Sequence, residues 1–214
     1  MEMRHAKGEG LWNGKAFKVI IMAAGMSRRF GGNKLLTGFH GRPLADWIFK
    51  AVEAAGCEPG DVTVVWHDPS VAVLSEVYGY NTCYNAAPEE GQSVSVRLGI
   101  EAAGAARAYL FLTADQPLLS GQTIAGMLSA FPLGKGKIMM ASWQGKVGNP
   151  VIFDAWFKSE LLELTGDTGG RRIIKLHPEA AVRYEVEFAE ELMDVDHVQD
   201  LERLSEILSS YSDL

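Results

Sequence analysis

The sequence predicts an α/β fold, a three-layer sandwich around a mostly parallel sheet, and three observations lead there. Short apolar runs at 17–24, with β-branched residues in its middle, at 61–66 and at 108–113 have the length of buried strands. Stretches with an apolar face at helical spacing lie between them. Strand and helix therefore alternate, the order that builds a parallel sheet covered on both faces in a Rossmann-like arrangement.

Taken in order, residues 17–24 form the first strand, stopped by Gly25. Helical periodicity follows over 43–55, with Leu44, Trp47, Ile48, Ala51 and Val52 on one face and Pro43 near the first turn. A second strand spans 61–66, and Asp68-Pro69 opens a helix that reaches Val77. A short strand near Thr82 precedes a helix over 92–103, the most apolar strand at 108–113, and a helix near Gly121. Beyond Ile138 the alternation loosens. Strands are expected at 138–143 and 150–153, helices at 155–164 and 168–176, and an extended segment at 182–186. A last strand at 191–195 and a closing helix at 198–209 complete the chain. Residues 1–16 are polar and glycine-bearing and are read as a flexible leader, with 17–210 as one domain.

Bulk composition limits the function classes. A chain of 214 residues, 47% hydrophobic and 22% charged, can bury one sizeable core. Its formal net charge of −7 argues against a nucleic-acid partner, which needs a positive field, but leaves room for a small anion held by local cations. Cys57 and Cys83 stand outside any CxxC, so neither a disulfide framework nor structural zinc is expected, and a reduced cytoplasm is the simplest setting. No stretch approaches the roughly 20 apolar residues of a membrane span.

In an open parallel sheet, ligands bind beyond the carboxyl ends of the strands, and two loops there carry chemistry. The first runs from Ala23 through Ala24, Gly25, Met26 and Ser27 to Lys34. Its small residues let the backbone approach a phosphate, and Ser27, Arg28, Arg29 and Lys34 supply donors and positive charge. It matches neither GxxxxGK[ST] nor GxGxxG, which disfavours a kinase-type P-loop and a dinucleotide fold. Composition alone equally describes a solvated surface loop. The second loop holds Asp115, directly after the most apolar strand, where a carboxylate suits a Mg²⁺ ligand or serves as a plain turn or capping residue. Near the end, Asp194 and Asp196 flank Val195 and are read as pointing to alternate sides, so that only one faces the crevice with Asp115. Asp194 is then a solvent-facing acid, or Asp196 the N-cap of the last helix. The five histidines show no metal spacing, and His197 reads as structural. A receiver-type fold is disfavoured because the first strand ends in Ala-Ala-Gly rather than in acids.

Four stretches together resemble the molybdenum cofactor nucleotidyltransferases, within the wider nucleotide-diphospho-sugar transferase fold. They are 23–31 with Lys34, 91–97 (Gly-Gln-Ser-Val-Ser-Val-Arg), Asp115-Gln116-Pro117, and 166–171 (Gly-Asp-Thr-Gly-Gly-Arg), and the tail 194–201 is similar to that family's closing segment. The likeness runs in order from about residue 17 to 208. Ala-Ala-Gly after the first strand resembles the cytidylyltransferase branch, whereas Gly-Gly is usual in the guanylyltransferases. Gln116 stands in place of the usual Met, Asn149 in place of a common His, and His197-Val198 in place of Thr-Pro.

The resemblance implies an enzyme that moves CMP from CTP to the terminal phosphate of molybdopterin with Mg²⁺, serving a molybdoenzyme or its chaperone. Lys34, Arg29 and Asp115 would be catalytic, and Asp115 and Asp196 would hold the metal. Ala23, Ala24, Gly25, Ser27, Arg29, Lys34, Ser93, Ser95, Asp167 and Arg171 would bind nucleotide or acceptor. Ser93 and Ser95 sit where a helix N-terminus favours phosphate, or serve as N-caps. Asp167 contacts the acceptor or caps the helix that follows it. The rivals are a GTP-using guanylyltransferase, a sugar-1-phosphate nucleotidyltransferase and a non-catalytic nucleotide or cofactor carrier.

Overall fold

The structure, a computed structural model, describes residues 16–212 other than Arg28. The expected flexible leader, apart from Ala16, falls outside the described residues.

Seven strands form one sheet: β1 (Phe17–Ala23), β4 (Val62–Trp66), β5 (Asn81–Tyr84), β6 (Ala108–Thr113), β7 (Ile138–Trp143), β8 (Lys146–Asp154) and β9 (Ala181–Glu185). Between the first two lies a hairpin of two-residue strands, β2 (Gly38–Phe39) and β3 (Arg42–Pro43). The order across the main sheet is β5-β4-β1-β6-β8-β7-β9. Only β8 runs against the rest, pairing antiparallel with both β6 and β7. The sheet is thus mostly parallel, as the alternation predicts.

Strand alternation divides the core into two layers. Val19 and Ile21 of β1, Val62 and Val64 of β4, and Leu110 and Leu112 of β6 face α1 (Leu44–Ala54), α2 (Pro69–Glu76) and α4 (Gly121–Ala130). Ile20, Val65 and Phe111 face the other way, toward α3 (Gln92–Ala103), α5 (Lys158–Leu162) and α6 (Arg171–Leu176). α3 sits so close that a side chain at Gly99 would meet Ile20. Helix starts follow local chemistry: Asp68 caps α2 through the N–H of Ser70, and Ser120 caps α4 through that of Thr123.

The closing helix α7 (Val198–Ser212) lies apart from both layers, packing Leu201 and Leu204 with Phe39, Leu44 and Val195. The stretch expected as a last strand at 191–195 is no strand. Ala189–Leu192 is a 3-10 turn, and residues 193–197 are irregular, tied down where Val195 donates its N–H to the carbonyl of Asp115 at 2.9 Å. Among the described residues this segment pairs with no strand, because its backbone is drawn across the carboxyl end of β6, where Val195 bonds Asp115 and Lys34. The helices expected at 155–164 and 168–176 are shorter, 158–162 and 171–176, each entered through a turn.

Candidate active site

β1 and β6 are adjacent and parallel, and beyond their carboxyl ends opens a cleft of about 1420 Å³. This is the switch point of the sheet, since the chain leaves β1 for β4 on one side and later returns as β6 on the other. β8 runs the opposite way, so its starting residues Val147 and Gly148 reach the same end and help line the cleft.

The first loop enters from β1. Ala24, Gly25, Ser27 and Arg29 line the cleft, and Ser27 adopts a left-handed backbone (φ 48) with its buried Oγ unpartnered among the described residues. Ala23 lines instead a separate hollow of about 170 Å³ between the loop, His67 and Asp68. Asn33 ends the loop twice over: it accepts from the N–H of Leu35 and donates to Asp68 at 2.6 Å. The chain then turns tightly over Lys34–Leu36, which carries Lys34 inward to 8% exposure.

Lys34 Nζ is 2.6 Å from Asp115 Oδ2, donates to the carbonyl of Val195 at 2.7 Å, and lies 3.6 Å from Asp196 Oδ1. Arg29, 69% exposed, holds the other oxygen of Asp196 at 2.8 Å. Residues 80 or more positions apart in sequence thus meet at one ammonium group. Among the described residues Asp115 Oδ1 is buried with no hydrogen-bond partner, as is Oγ1 of Thr113 two positions before it.

Asp194 and Asp196 both line the cleft, which corrects the expectation that only one would. Residues two apart in an extended chain fall on the same side, and here Val195 between them is fully buried against α7. Asp194 stays open to solvent at the cleft mouth yet is flanked by protein. Partial burial, and then the nearby Asp115 carboxylate, raise its pKa to about 6. Capping of α7 falls to Asp200, which accepts from the N–H groups of Asp196 and His197 at 2.8 and 2.7 Å. Asp196 is left free to face Lys34 and Arg29.

On the other wall, the glycine-rich segment 166–170 is pressed against the start of α3. Gly91 (φ 101) has no room for a side chain because the Asp167 backbone lies 2.6 Å from where a Cβ would be. Ser93 donates its N–H to Gly166, and the N–H of Gln92 points to Asp167 Oδ1 at 3.4 Å. Asp167 therefore serves α3 rather than the helix that follows it, whose N-cap is Gly170 without a side-chain bond. Ser95 lines the cleft and accepts from Asn85 at 3.0 Å, whereas Ser93 is fully buried behind it with Oγ unpartnered. Asp167 and Arg171 line the cleft, with Arg171 near enough to Asp194 to favour its charged form.

A nucleotide-diphospho-sugar transferase fold with cations and carboxylates gathered at its switch point defines a nucleotidyltransferase. The MobA-like NTP transferase domain matches residues 19–182, and the chain belongs to that family. It is 25% identical over 202 residues to the purine catabolism protein PucB of Bacillus subtilis, covering 89% of this chain and 96% of PucB. It is also 32% identical over 120 residues to the bifunctional protein GlmU of Maricaulis maris; the match takes in 54% of this chain but only 26% of GlmU, about a quarter of that relative's length. Among solved structures, a nucleotidyl transferase from Methanothermobacter thermautotrophicus superposes with a TM-score of 0.78 at 20% identity, covering 92% of this chain and 99% of that one. Rv0371c of Mycobacterium tuberculosis complexed with manganese gives 0.69 at 20% identity, covering 89% and 98%. Molybdopterin-guanine dinucleotide biosynthesis protein A of Archaeoglobus fulgidus gives 0.68 at 17% identity, covering 90% and 99%. Among the described residues no helix is long and apolar enough to cross a membrane.

Proposed function

We propose that the protein transfers CMP from CTP to the terminal phosphate of molybdopterin, releasing pyrophosphate, in a Mg²⁺-dependent reaction in the cytoplasm, and hands the product to a molybdoenzyme or its chaperone. The observation that carries nucleotidyl transfer is the convergence of Lys34, Asp115 and Asp196 at the mouth of the glycine-flanked loop. CTP is supported by Ala24 in the position where the guanylyltransferases carry Gly. Molybdopterin is supported by the 166–171 stretch on the opposite wall and by the likeness to the Archaeoglobus protein.

The carboxylates fit a hard cation. Among the described residues no three His, Cys, Asp or Glu side chains form a ready metal cage. Mg²⁺ needs none, because it binds through one or two carboxylates and completes its octahedron with substrate phosphates and water. Asp115, whose Oδ1 has no partner among the described residues, and Asp196 would hold it, with Asp194 on the same cleft. When bound it neutralises charge on the triphosphate.

The chain's own groups do the rest. Backbone and Ser27 of the first loop cradle the triphosphate, with Arg29 and Lys34 supplying positive charge. An oxygen of the acceptor phosphate forms a bond to the α-phosphorus in line with the bridging oxygen to the β-phosphorus, that bond breaks, and pyrophosphate leaves. The attacking phosphate is already anionic near neutral pH, so no general base is required. The wall must bring two anions together and stabilise the charge that grows on the α-phosphoryl and leaving groups, the task assigned to Lys34.

Thermal shift with CTP, GTP, ATP and UTP, each with Mg²⁺, tests the nucleotide, because a ligand of the folded state raises the melting temperature. CTP should give the largest shift; a larger one with GTP overturns the choice of base. Pyrophosphate release should then require molybdopterin and fail with hexose 1-phosphates. Undiminished turnover in Asp115→Asn sinks the role of that carboxylate.

A further inference from the structure

One hydroxyl of the cleft wall is held as a hydrogen-bond donor with no acceptor opposite it. Ser95 lines the cleft on α3 and is 8% exposed. Its Oγ accepts from Asn85 Nδ2 at 3.0 Å. The direction of that bond is fixed, because Asn85 Oδ1 accepts the N–H of Ala87 at 2.9 Å and so turns the amide nitrogen toward Ser95. Asn85 is itself fully buried; its backbone N–H donates to the carbonyl of Trp66 at 2.7 Å, and its carbonyl accepts from Nδ1 of His67 at 2.9 Å.

A serine oxygen that accepts from an amide keeps its own proton for another partner. Inside a helix that proton usually returns to the carbonyl four residues back. Ser95 makes no such bond to Gly91, and among the described residues no acceptor meets its hydroxyl. A nearly buried donor without a partner is unfavourable, and an acceptor on a ligand in the cleft relieves it.

Position decides which part of a nucleotide brings that acceptor. Gly99 of α3 packs on Ile20 of β1 and Val65 of β4, and Ser95 stands one turn earlier on the same face, beyond the carboxyl ends of those strands. Asn85 follows β5, three strands from the β6 end that carries Asp115, which at one strand spacing each is roughly 14 Å. In the proposed reaction the phosphates gather at Lys34, Asp115 and Asp196, so Ser95 lies toward the nucleoside end. The lining that Pro88, Gly91 and Val96 contribute here is uncharged, and the turn before α3 carries Glu89 and Glu90, which repel a phosphate. A neutral carbonyl suits a lone hydroxyl donor in such surroundings, and cytosine has one carbonyl, at C2.

We infer that Ser95 donates its proton to the carbonyl of the nucleotide's base, and that Asn85 is a positioning residue that keeps the Ser95 hydroxyl a donor toward the cleft. This rests on the CTP reading of the cleft. Calorimetric titration with CTP and with 2-thio-CTP, both at saturating Mg²⁺, tests it, because sulfur in place of the carbonyl oxygen is a weak acceptor. The wild type should bind CTP about fivefold more tightly than 2-thio-CTP, the worth of one hydrogen bond. In Ser95→Ala, CTP should weaken by about that factor while 2-thio-CTP binds as before. Asn85→Asp keeps the acceptor for Ala87 and the size of the site but accepts the Ser95 proton, so the preference should vanish with Ser95 still in place. Ser95→Ala carries the test alone if Asn85→Asp does not fold. Equal affinities in the wild type overturn the inference. So does an equal loss of both nucleotides in Ser95→Ala, which puts the hydroxyl on ribose or phosphate, or a preference lost there because 2-thio-CTP tightens, which reports room for the larger sulfur. A preference that survives in folded Asn85→Asp overturns the role of Asn85. Failure of CTP to bind the wild type overturns the CTP reading, and this one with it.

Discussion

Lys34 Nζ sits 2.6 Å from Asp115 Oδ2 and 3.6 Å from Asp196 Oδ1, so one nearly buried ammonium offsets two carboxylates across the cleft. Removing one partner of a largely buried pair leaves the other uncompensated. Lys34→Ala should therefore lower stability by about 2 kcal/mol. Mg²⁺ should restore more of the melting temperature in the variant than it adds to the wild type, because the cation takes over the lost charge. Nucleotidyl transfer should fall on the order of 100-fold or more in the variant even with saturating Mg²⁺. Equal Mg²⁺ shifts in the two proteins would mean that Lys34 does not stand in for the metal.

Asp194 sets a pH dependence. Its folded-state pKa, raised to about 6, exceeds the ordinary carboxylate value of 3.8, so the folded protein prefers the protonated acid. The resulting stabilisation is full below about 3.8 and is lost as pH rises through about 6. Metal-free Asp194→Asn should accordingly be more stable than the wild type at pH 7.5, with the difference shrinking toward pH 5. Urea midpoints across that window check it; a difference that stays constant with pH removes Asp194 as the cause.

The two carboxylates around Val195 also mark what the sequence could and could not disclose. β1, β4 and β6 were readable as short, largely apolar runs bounded by turn residues, β-branched in β1 and β4, and Asp115 followed from its place after the last of these. The reversed direction of β8 was not readable, since an apolar run carries no record of which way its neighbour points. Nor was the hairpin at β2 and β3, too short for any period to register. Asp194 was within reach: counting two residues per repeat puts it on the same side as Asp196. The contact of Asp167 with Gln92 was out of reach, because it joins positions 75 apart through a fit between backbones.

That fit is open to test. Gly91 combines a left-handed φ of 101 with a backbone atom of Asp167 only 2.6 Å from a would-be Cβ, and backbone cannot swing aside as a side chain can. Gly104 shares the left-handed conformation (φ 78) with open space around it. Gly104→Ala should cost about 1 kcal/mol, the conformational penalty alone. Gly91→Ala should cost about 2 to 3 kcal/mol, with overpacking added. Denaturant midpoints giving equal losses would show that the joint between α3 and the 166–170 segment yields freely.

Activity should also respond to a residue that never reaches the cleft. Leu204 on α7 is fully buried with Phe39, Leu44 and Val195. Val195 donates its N–H to the carbonyl of Asp115 and accepts from Lys34 Nζ at its own carbonyl, so whatever holds Val195 also holds Asp194 and Asp196 in place. Leu204→Ala should cost about 3 kcal/mol through the lost side chain and the cavity it leaves. A carboxylate that loses its position also loses transition-state interactions, so kcat should drop several-fold at temperatures where circular dichroism still reports a folded protein. Leu128 provides the control: it is equally hidden, at 4% exposure on α4 in the main core. Leu128→Ala should lose similar stability while keeping kcat. If the two variants lose kcat equally, α7 acts through global stability alone and does not position the acids.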